Sequence, residues 1–488
     1  MNDVIAGDDA VSVRVQRAAI PLYAARIKVY PKQVAGFFRR IKWVVLAFCL
    51  AVYYLVPWIR WNRGPGAPDQ AVLIDLPGSR AYFFSIEIWP QEVYYLTGLL
   101  ILGAVGLFLV TTVMGRVWCG YACPQTVWTD LFMWVERSIE GDRNARIKLD
   151  KQPWSAGKLA RKIAKHAIWL LIALATGGAW GLYFNDAPSV TREILTVRAS
   201  GAVYFFIGLF TTTTYLLAGW AREQVCTYMC PWPRFQAAML DEGSLVVTYQ
   251  DWRGEPRGKH KQGASWEGRG DCIDCGQCVA VCPTGIDIRD GQQLECIGCG
   301  LCVDACNGVM AKVGRPANLI TFDTLANQDA LAAGKMVPYR LIRPRVAIYA
   351  ALLGVVAMIM LGALLTRPTV EVNVLRDRNP IFVTLSDGSI RNGYTLKILN
   401  KTREAHDYRL AVAGPANAQA SIVGAGATDD GSNLWLSAKP DSVATYRTYV
   451  SAPRAAIGAE SIPIVFSLRE TESGETAEYH SVFLGPAR

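Results

Sequence analysis

Eight of the thirteen cysteines lie between positions 272 and 306, as two copies of one spacing. The first copy is Cys272-x2-Cys275-x2-Cys278-x3-Cys282-Pro283, the second Cys296-x2-Cys299-x2-Cys302-x3-Cys306. Three thiolates at steps of three residues wrap one face of an iron–sulfur cubane. The fourth, beyond a short turn, reaches the other cubane. The expected ligand sets are therefore crossed. Cys272, Cys275, Cys278 and Cys306 hold one [4Fe–4S] cluster; Cys296, Cys299, Cys302 and Cys282 hold the other. Gly276, Gly298 and Gly300 let backbone N–H groups approach the sulfurs, and Pro283 turns the chain. Zinc sites separate their Cys-x2-Cys pairs by a longer loop. Disulfide frameworks belong to oxidising compartments.

Four more cysteines sit in two matching phrases. One is Trp118-Cys119-Gly120-Tyr121-Ala122-Cys123-Pro124; the other is Val225-Cys226-Thr227-Tyr228-Met229-Cys230-Pro231. Each opens an amphipathic stretch, 125–140 and 234–242. Proline suits the first turn of a helix and pushes the preceding residue out of the helical region. Cys123 and Cys230 are thus expected at helix N-caps, where the dipole and the nearby Arg116, Arg222 and Arg234 favour a thiolate. Lone buried cysteines are ordinary packing. Two matched pairs at one depth point instead to a shared metal or redox site of Cys119, Cys123, Cys226 and Cys230.

The elements that must position these residues are largely apolar. Runs at 44–59, 93–113, 167–184, 201–220 and 346–365 approach or reach bilayer-spanning length. Trp43, Trp58, Trp61, Trp89 and Trp220 flank them as interfacial aromatics. The net charge of +9 is not a nucleic-acid footprint, because its residues crowd particular loops. Lys and Arg gather in the N-terminal arm (Arg26, Lys28, Lys32, Arg39, Arg40, Lys42), in 137–165 and in 340–345. The connections 60–92 and 185–200 are poor in them. The positive-inside rule then places the N-terminus and the cluster region in the cytoplasm and everything after Arg367 outside. The exported tail holds no cysteine, and the first forty residues show no cleavable signal peptide. Both Cys-x3-Cys-Pro phrases follow a helix pair, which makes an internal parallel repeat about an axis along the membrane normal.

The expected architecture is a multi-domain membrane protein. A cytoplasmic arm (1–42) precedes a four-span helical repeat domain (43–248) and a cytoplasmic bacterial-type two-[4Fe–4S] ferredoxin-like domain (249–345). A fifth membrane helix (346–366) leads to an exported immunoglobulin-like β-sandwich (367–488). Strands are expected at 370–374, 381–385, 394–399, 408–413, 421–423, 433–437, 443–450, 462–468 and 479–484. Turn signals lie at 386–388 and at Asn392-Gly393. Of the four histidines, His166 lies at the mouth of the third span and reads as interfacial, not as a ligand; none is mid-membrane, which excludes a bis-histidine haem. No dinucleotide fingerprint or phosphate loop is present, so electrons are expected from a partner or a quinol.

The chain resembles the CcoG/FixG/RdxA family of cytochrome c oxidase accessory proteins. The resemblance rests on Val29-Tyr30-Pro31 with Gly36, on the run from Arg63 to Ala71, and on Trp89-Pro90-Gln91-Glu92. It extends to both Cys-x3-Cys-Pro phrases, both ferredoxin motifs and the β-domain. It implies an inner-membrane protein of a Gram-negative bacterium that reduces Cu(II) to Cu(I) for assembly of a cbb-type oxidase. By the match of motifs, Cys119, Cys123, Cys226 and Cys230 would be the copper-handling residues. Implied partners are copper ions, a copper chaperone or transporter, oxidase assembly factors and a second copy of the chain. Soft thiolates suit Cu(I). Two other functions fit the same residues: an electron conduit of a quinol-oxidising system, and a non-catalytic assembly platform. The four membrane-edge cysteines could hold copper, iron or a third cluster, or form a disulfide.

Overall fold

The computed structural model describes residues 28–486 except 65, 262, 264, 425, 426 and 430–433. The expectations for Arg26 and the arm before it, for Pro65 and for Asn433 lie outside the described residues. Two compact units form: one runs to Ile59 and adds Val72–Phe83 and Leu99–Leu353; the other is Arg60–Ala71, Phe84–Gly98 and Gly354 onward.

Among the described residues five helices are long and apolar enough to cross a bilayer: Phe37–Trp58, Pro90–Met114, Ala156–Leu182, Gly201–Ala221 and Pro344–Leu365. The first and third begin well before their apolar runs. The third starts at Ala156, capped by the Ser155 hydroxyl, which accepts from the Lys158 N–H. Apart from Gly157 in the first turn, the basic stretch that follows holds mostly good helix formers. The first helix starts at Phe37 because Asp304 caps it from the cluster module. Asp304 Oδ2 accepts the Arg39 N–H at 2.8 Å and Oδ1 the Phe38 N–H at 3.3 Å. Gly36 permits this approach; a Cβ there would lie 2.2 Å from Asp304 Cγ.

The fourth span changes character near its end. Its α-helix, Gly201–Thr214, passes into a π-helical stretch at Tyr215–Ala221, and a second π-turn covers Val225–Met229. Between them Arg222 takes a left-handed backbone (φ 43°). Such irregular turns recur at functional sites. Helix Pro124–Glu140 anchors this region with buried carboxylates. Glu136 meets Arg146 and Arg222 at 2.9 Å each and Lys165 at 3.5 Å. Asp130 meets Arg39 at 2.8 Å, and Glu140 meets Lys165 at 2.9 Å. Breaking one partner of such a pair strands the other in apolar surroundings, so the pairs fix position.

In the cluster module, strand Val246–Tyr249 pairs antiparallel with Ile320–Asp323, and helices Gln277–Val281 and Leu301–Lys312 pack on it. Val247, Ile288, Val303 and Ile320 form its buried centre with Cys278. The strand thus straddles the expected boundary at 249.

The second unit holds an antiparallel two-sheet sandwich. One sheet runs Gln419–Val423, Ser442–Ala452, Ile390–Asn400, Val370–Arg376, with Val383–Thr384 also on Ile390–Asn400. The other runs Ala427–Asp429, Leu434–Ala438, His406–Ala413, Ser461–Glu470, Thr476–Leu484. Tyr394, Tyr408, Tyr446, Phe466 and Phe483 fill the interface between the sheets. Ala427–Asp429 is a strand the sequence pattern did not reveal. Asn392-Gly393 is not a turn: both lie inside strand Ile390–Asn400. Asn392 is fully buried, and its amide exchanges hydrogen bonds with the Leu484 backbone at 2.7 and 3.0 Å. Tertiary pairing overrode a local turn signal. The same unit explains Glu92, whose buried carboxylate takes Arg367 at 2.7 Å and Lys401 at 2.8 Å.

Candidate redox site

Each ferredoxin motif enters its helix through a left-handed glycine. Gly276 (φ 64°) caps Gln277–Val281 and Gly300 (φ 70°) caps Leu301–Lys312. A left-handed residue is what turns the chain from Cys275 into the helix of Cys278, and from Cys299 into that of Cys302. Cys282 ends the first short helix with an extended backbone, while Cys306 stays within the second.

The eight thiols fall into two neighbourhoods. Cys306 lies among Cys278, Cys272 and Cys275. Cys282 lies among Cys296, Cys299 and Cys302. Cys282, Cys296, Cys299 and Cys302 also line one small cavity, together with Cys278. Burial, then neighbouring cysteines, push Cys306 up to about 12; burial pushes Cys296 to about 12 and Cys278 to about 11. Buried thiols of this kind need a bound cationic centre to offset thiolate charge.

Spacing bears on what such a centre is. Among the described residues no three cysteine sulfurs lie within 4.8 Å of one another; only His406, Glu470 and Glu472 meet that test, and His406 is already paired with Glu470 at 2.5 Å. Four sulfurs on one tetrahedral zinc would stand about 3.8 Å apart. The eight cysteines therefore suit a polynuclear cluster better than single ions.

The two Cys-x3-Cys-Pro phrases come together. Cys119 neighbours Cys123 and Cys226, Cys226 neighbours Cys123 and Cys230, and Cys123 neighbours Cys230. The Cys119 thiol donates to Gln236 Oε1 at 3.2 Å, and the buried Gln236 donates in turn to Thr111. The expected thiolate activation is not what this packing produces. Burial pushes Cys119 and Cys226 up to about 12. It raises Cys123 as well, although the Thr126 and Gln125 N–H groups pull the other way. Cys123 does cap Pro124–Glu140, but Cys230 stands one residue ahead of Pro231, the N-cap of Trp232–Met239. Arg222 is turned to Glu136 and the Gly219 carbonyl.

The membrane-edge phrases touch the cluster loops directly. Cys119 and Cys226 pack against the group formed by Cys299, Ile297 and Leu301. Gly120 permits it: a Cβ there would be 2.8 Å from the Ile297 carbonyl oxygen and 3.0 Å from Cys299 Cα. Tyr121 donates to the Cys299 carbonyl at 3.0 Å. Arg116 straddles the junction, donating to the Cys296 carbonyl at 3.2 Å and the Pro233 carbonyl at 2.6 Å. Lys42 is 2% exposed; its Nζ stands 3.9 Å from Asp130 with no hydrogen-bond partner among the described residues. It is the main cationic influence on Cys299 and also acts on Cys226. Gly120, Tyr121, Gln236 and Lys42 had no role in the sequence reading beyond motif membership or loop charge. Lys42 carried no distinguishing signal, because a lysine near the end of a membrane helix ordinarily snorkels to the interface. His166 sits in the third span, sharing a hydrogen bond of 2.8 Å with Tyr215.

Family models match most of this layout. A 4Fe-4S dicluster domain matches residues 221–325, a 4Fe-4S binding domain matches 96–140, and an IG-like fold found at the C-terminus of FixG matches 360–486. The nitrogen fixation protein FixG of Rhizobium meliloti is 51% identical over 474 residues, covering 91% of this chain and 90% of that protein. Protein RdxA of Cereibacter sphaeroides is 49% identical over 457 residues, covering 93% and 95%. RdxB of the same organism is 48% identical over 470 residues, covering 95% and 97%.

Proposed function

The chain belongs to the FixG/RdxA family of iron–sulfur membrane proteins, and from that premise we propose that it reduces Cu(II) to Cu(I) at Cys119, Cys123, Cys226 and Cys230 for assembly of a cbb-type oxidase. The observation that carries the proposal is the junction of Gly120 and Tyr121 with Cys299. Family membership itself makes the chain an iron–sulfur redox protein of the membrane.

In this reading Cys272, Cys275, Cys278 and Cys306 hold one [4Fe–4S] cluster, and Cys282, Cys296, Cys299 and Cys302 the second. Bound clusters supply electrons one at a time, and Cu(II) needs one. The chain's own residues do the rest. Leu301, Ile297 and Val281 keep water from the Cys299 loop. Tyr121 and Arg116 hold that loop against the membrane-edge cysteines. Burial favours the protonated thiol at Cys119, Cys123 and Cys226, so binding Cu(I) there releases protons, and the softness of all four sulfurs favours the reduced ion. No three of these sulfurs lie within 4.8 Å of one another among the described residues, so three-coordinate binding draws them inward on copper. The two phrases are halves of a parallel repeat, the cluster module is cytoplasmic and the β-domain is exported. A copper chaperone or transporter, oxidase assembly factors and a second copy of the chain are the partners.

The wide spacing favours one other reading, in which the four cysteines hold a third iron–sulfur cluster; the match of a 4Fe-4S binding domain to 96–140 points the same way. One experiment separates the two. The full chain is purified without oxygen, iron and copper are counted, and the reduced protein is given Cu(II) with a Cu(I)-specific chelator present. Copper reduction predicts about eight irons per chain, rapid Cu(I) formation, and a loss of at least about tenfold in each single Cys→Ser variant with iron unchanged. About twelve irons, falling to about eight in the same variants, establishes the third cluster instead. Wild-type rates in all four variants overturn the site.

A further inference from the structure

Beside the start of the first span lies a cavity of about 440 Å³ that the redox reading does not use. Lys32, Arg39 and Arg137 line it against a single carboxylate, Asp130. Trp43 and Trp134, edge to face at 6.4 Å, complete its rim. We propose that this cavity binds the headgroup of an anionic phospholipid.

Arg39 is the first argument. It is 7% exposed, and its Nη1 makes both contacts to Asp130, at 3.0 and 2.8 Å. Nη2 is left buried without a hydrogen-bond partner. The guanidinium lies 4.4 Å over the Trp43 ring, which fixes its plane. A buried N–H left unmet is costly, and a phosphate oxygen is the natural acceptor for a guanidinium fork. Three cations against one anion leave a net charge that attracts a phosphodiester.

Position is the second argument. Arg39 and Trp43 lie on the opening turns of a membrane-spanning helix that starts at Phe37. At 1.5 Å per residue both fall within roughly 10 Å of its start, the depth of lipid headgroups. Paired tryptophans are typical of that depth, and basic pockets between membrane helices bind anionic headgroups there. Pro283 and Leu301 also line the cavity. They adjoin Cys282 and Cys302 in sequence, so a bound headgroup would place its charge beside the cluster loops. The proposal needs the helices to span a bilayer and is independent of copper.

The test uses the full chain, delipidated in detergent and examined by native mass spectrometry with added phosphatidylglycerol, phosphatidylcholine or inorganic phosphate. Phosphatidylglycerol should be retained at least about fivefold more tightly than phosphatidylcholine, the factor expected of roughly one cationic contact. Arg137→Gln should abolish that preference, whereas Lys148→Gln, on an exposed position outside the cavity, should keep it. Iron content and melting temperature check folding; where Arg137→Gln fails that check, Lys32→Gln takes its place. Equal retention of the two lipids, or an unchanged preference in the cavity variants, overturns the proposal. Displacement of the lipid by millimolar phosphate also overturns it, by assigning the cavity to a free anion.

Discussion

Tyr121 donates its phenol hydrogen to the carbonyl oxygen of Cys299 at 3.0 Å. Tyr121 belongs to the phrase that carries Cys119 and Cys123, and Cys299 to a ferredoxin loop far along the chain. Burial, then the neighbouring Cys299, raise the phenol above its ordinary value, so it remains a donor. The bond is therefore a fixed strut between the two groups of cysteines.

Gly120→Ala tests that strut. The added methyl would meet backbone at Ile297 and Cys299, which cannot swing aside as a side chain tip could. Iron should be retained while Cu(II) reduction slows by at least about tenfold, since small displacements of reacting groups cost about that much or more. Tyr121→Phe should lower stability by only about 1 kcal/mol. Stopped-flow oxidation of the reduced clusters by Cu(II) is the measurement; a wild-type rate in Gly120→Ala removes the junction from the pathway.

The crossed ligand sets make a prediction that uncrossed sets do not. Cys306→Ser should remove the same cluster as Cys275→Ser, and Cys282→Ser the same as Cys299→Ser, each costing about half the iron. Electron paramagnetic resonance of the reduced variants reads which cluster survives. Spectra pairing Cys306→Ser with Cys299→Ser would contradict the neighbourhoods described above.

Lys42→Met should lower the midpoint potential of the cluster beside Cys299. A buried cation stabilises the more negative, reduced form, and its removal withdraws that support. The shift should be some tens of millivolts for one cluster, with the other nearly unmoved. A potentiometric titration followed by paramagnetic resonance checks this, and an equal shift of both clusters would point to general loosening of the fold.

Glu136 sets an acid dependence. Burial opposes its ionisation, but Arg222, Lys165 and Arg146 outweigh burial and hold the carboxyl at about 2, against an ordinary 4.5. A depressed folded-state pKa contributes stability that is present above the unfolded value and lost as pH falls through the folded one. The contribution is roughly 3 kcal/mol at neutral pH and should vanish between about pH 4.5 and 2. Glu136→Gln should therefore melt well below wild type at pH 7, with the gap closing over that window. A gap independent of pH would mean that Glu136 acts through packing alone.

Reporter fusions test the orientation. Fusions after Lys151 and Lys335 should be active as cytoplasmic reporters, and a fusion after Lys401 as an exported one. An exported signal after Lys335 would place the cluster module on the wrong side for a cytoplasmic electron donor.

Much of this protein is legible in its sequence because the chemistry is local. Twelve of the thirteen cysteines declare two cluster motifs and two paired phrases by spacing alone. The membrane helices show as apolar runs, and most β-domain strands as alternation, since both follow from short-range periodicity. The ends of helices were less legible: Ala156 and Phe37 start helices whose polar first turns are stabilised by Ser155 and by the distant Asp304. Asn392-Gly393 reads as a turn until Leu484 claims its amide.

What only the tertiary structure decided is the environment of each group. Spacing put Cys123 at a helix cap, where the dipole argues for a thiolate; packing half-buried it among thiols, and desolvation won. Lys42 counted as one more loop charge until folding buried it between Asp130 and Cys299. Gly120 was one motif residue among several until the Cys299 backbone came within a methyl's reach of it. The physical reason is common to all three. Ligand identity and helical period are properties of neighbouring residues, whereas dielectric, charge pairing and close approach depend on chain segments that meet only when the protein folds.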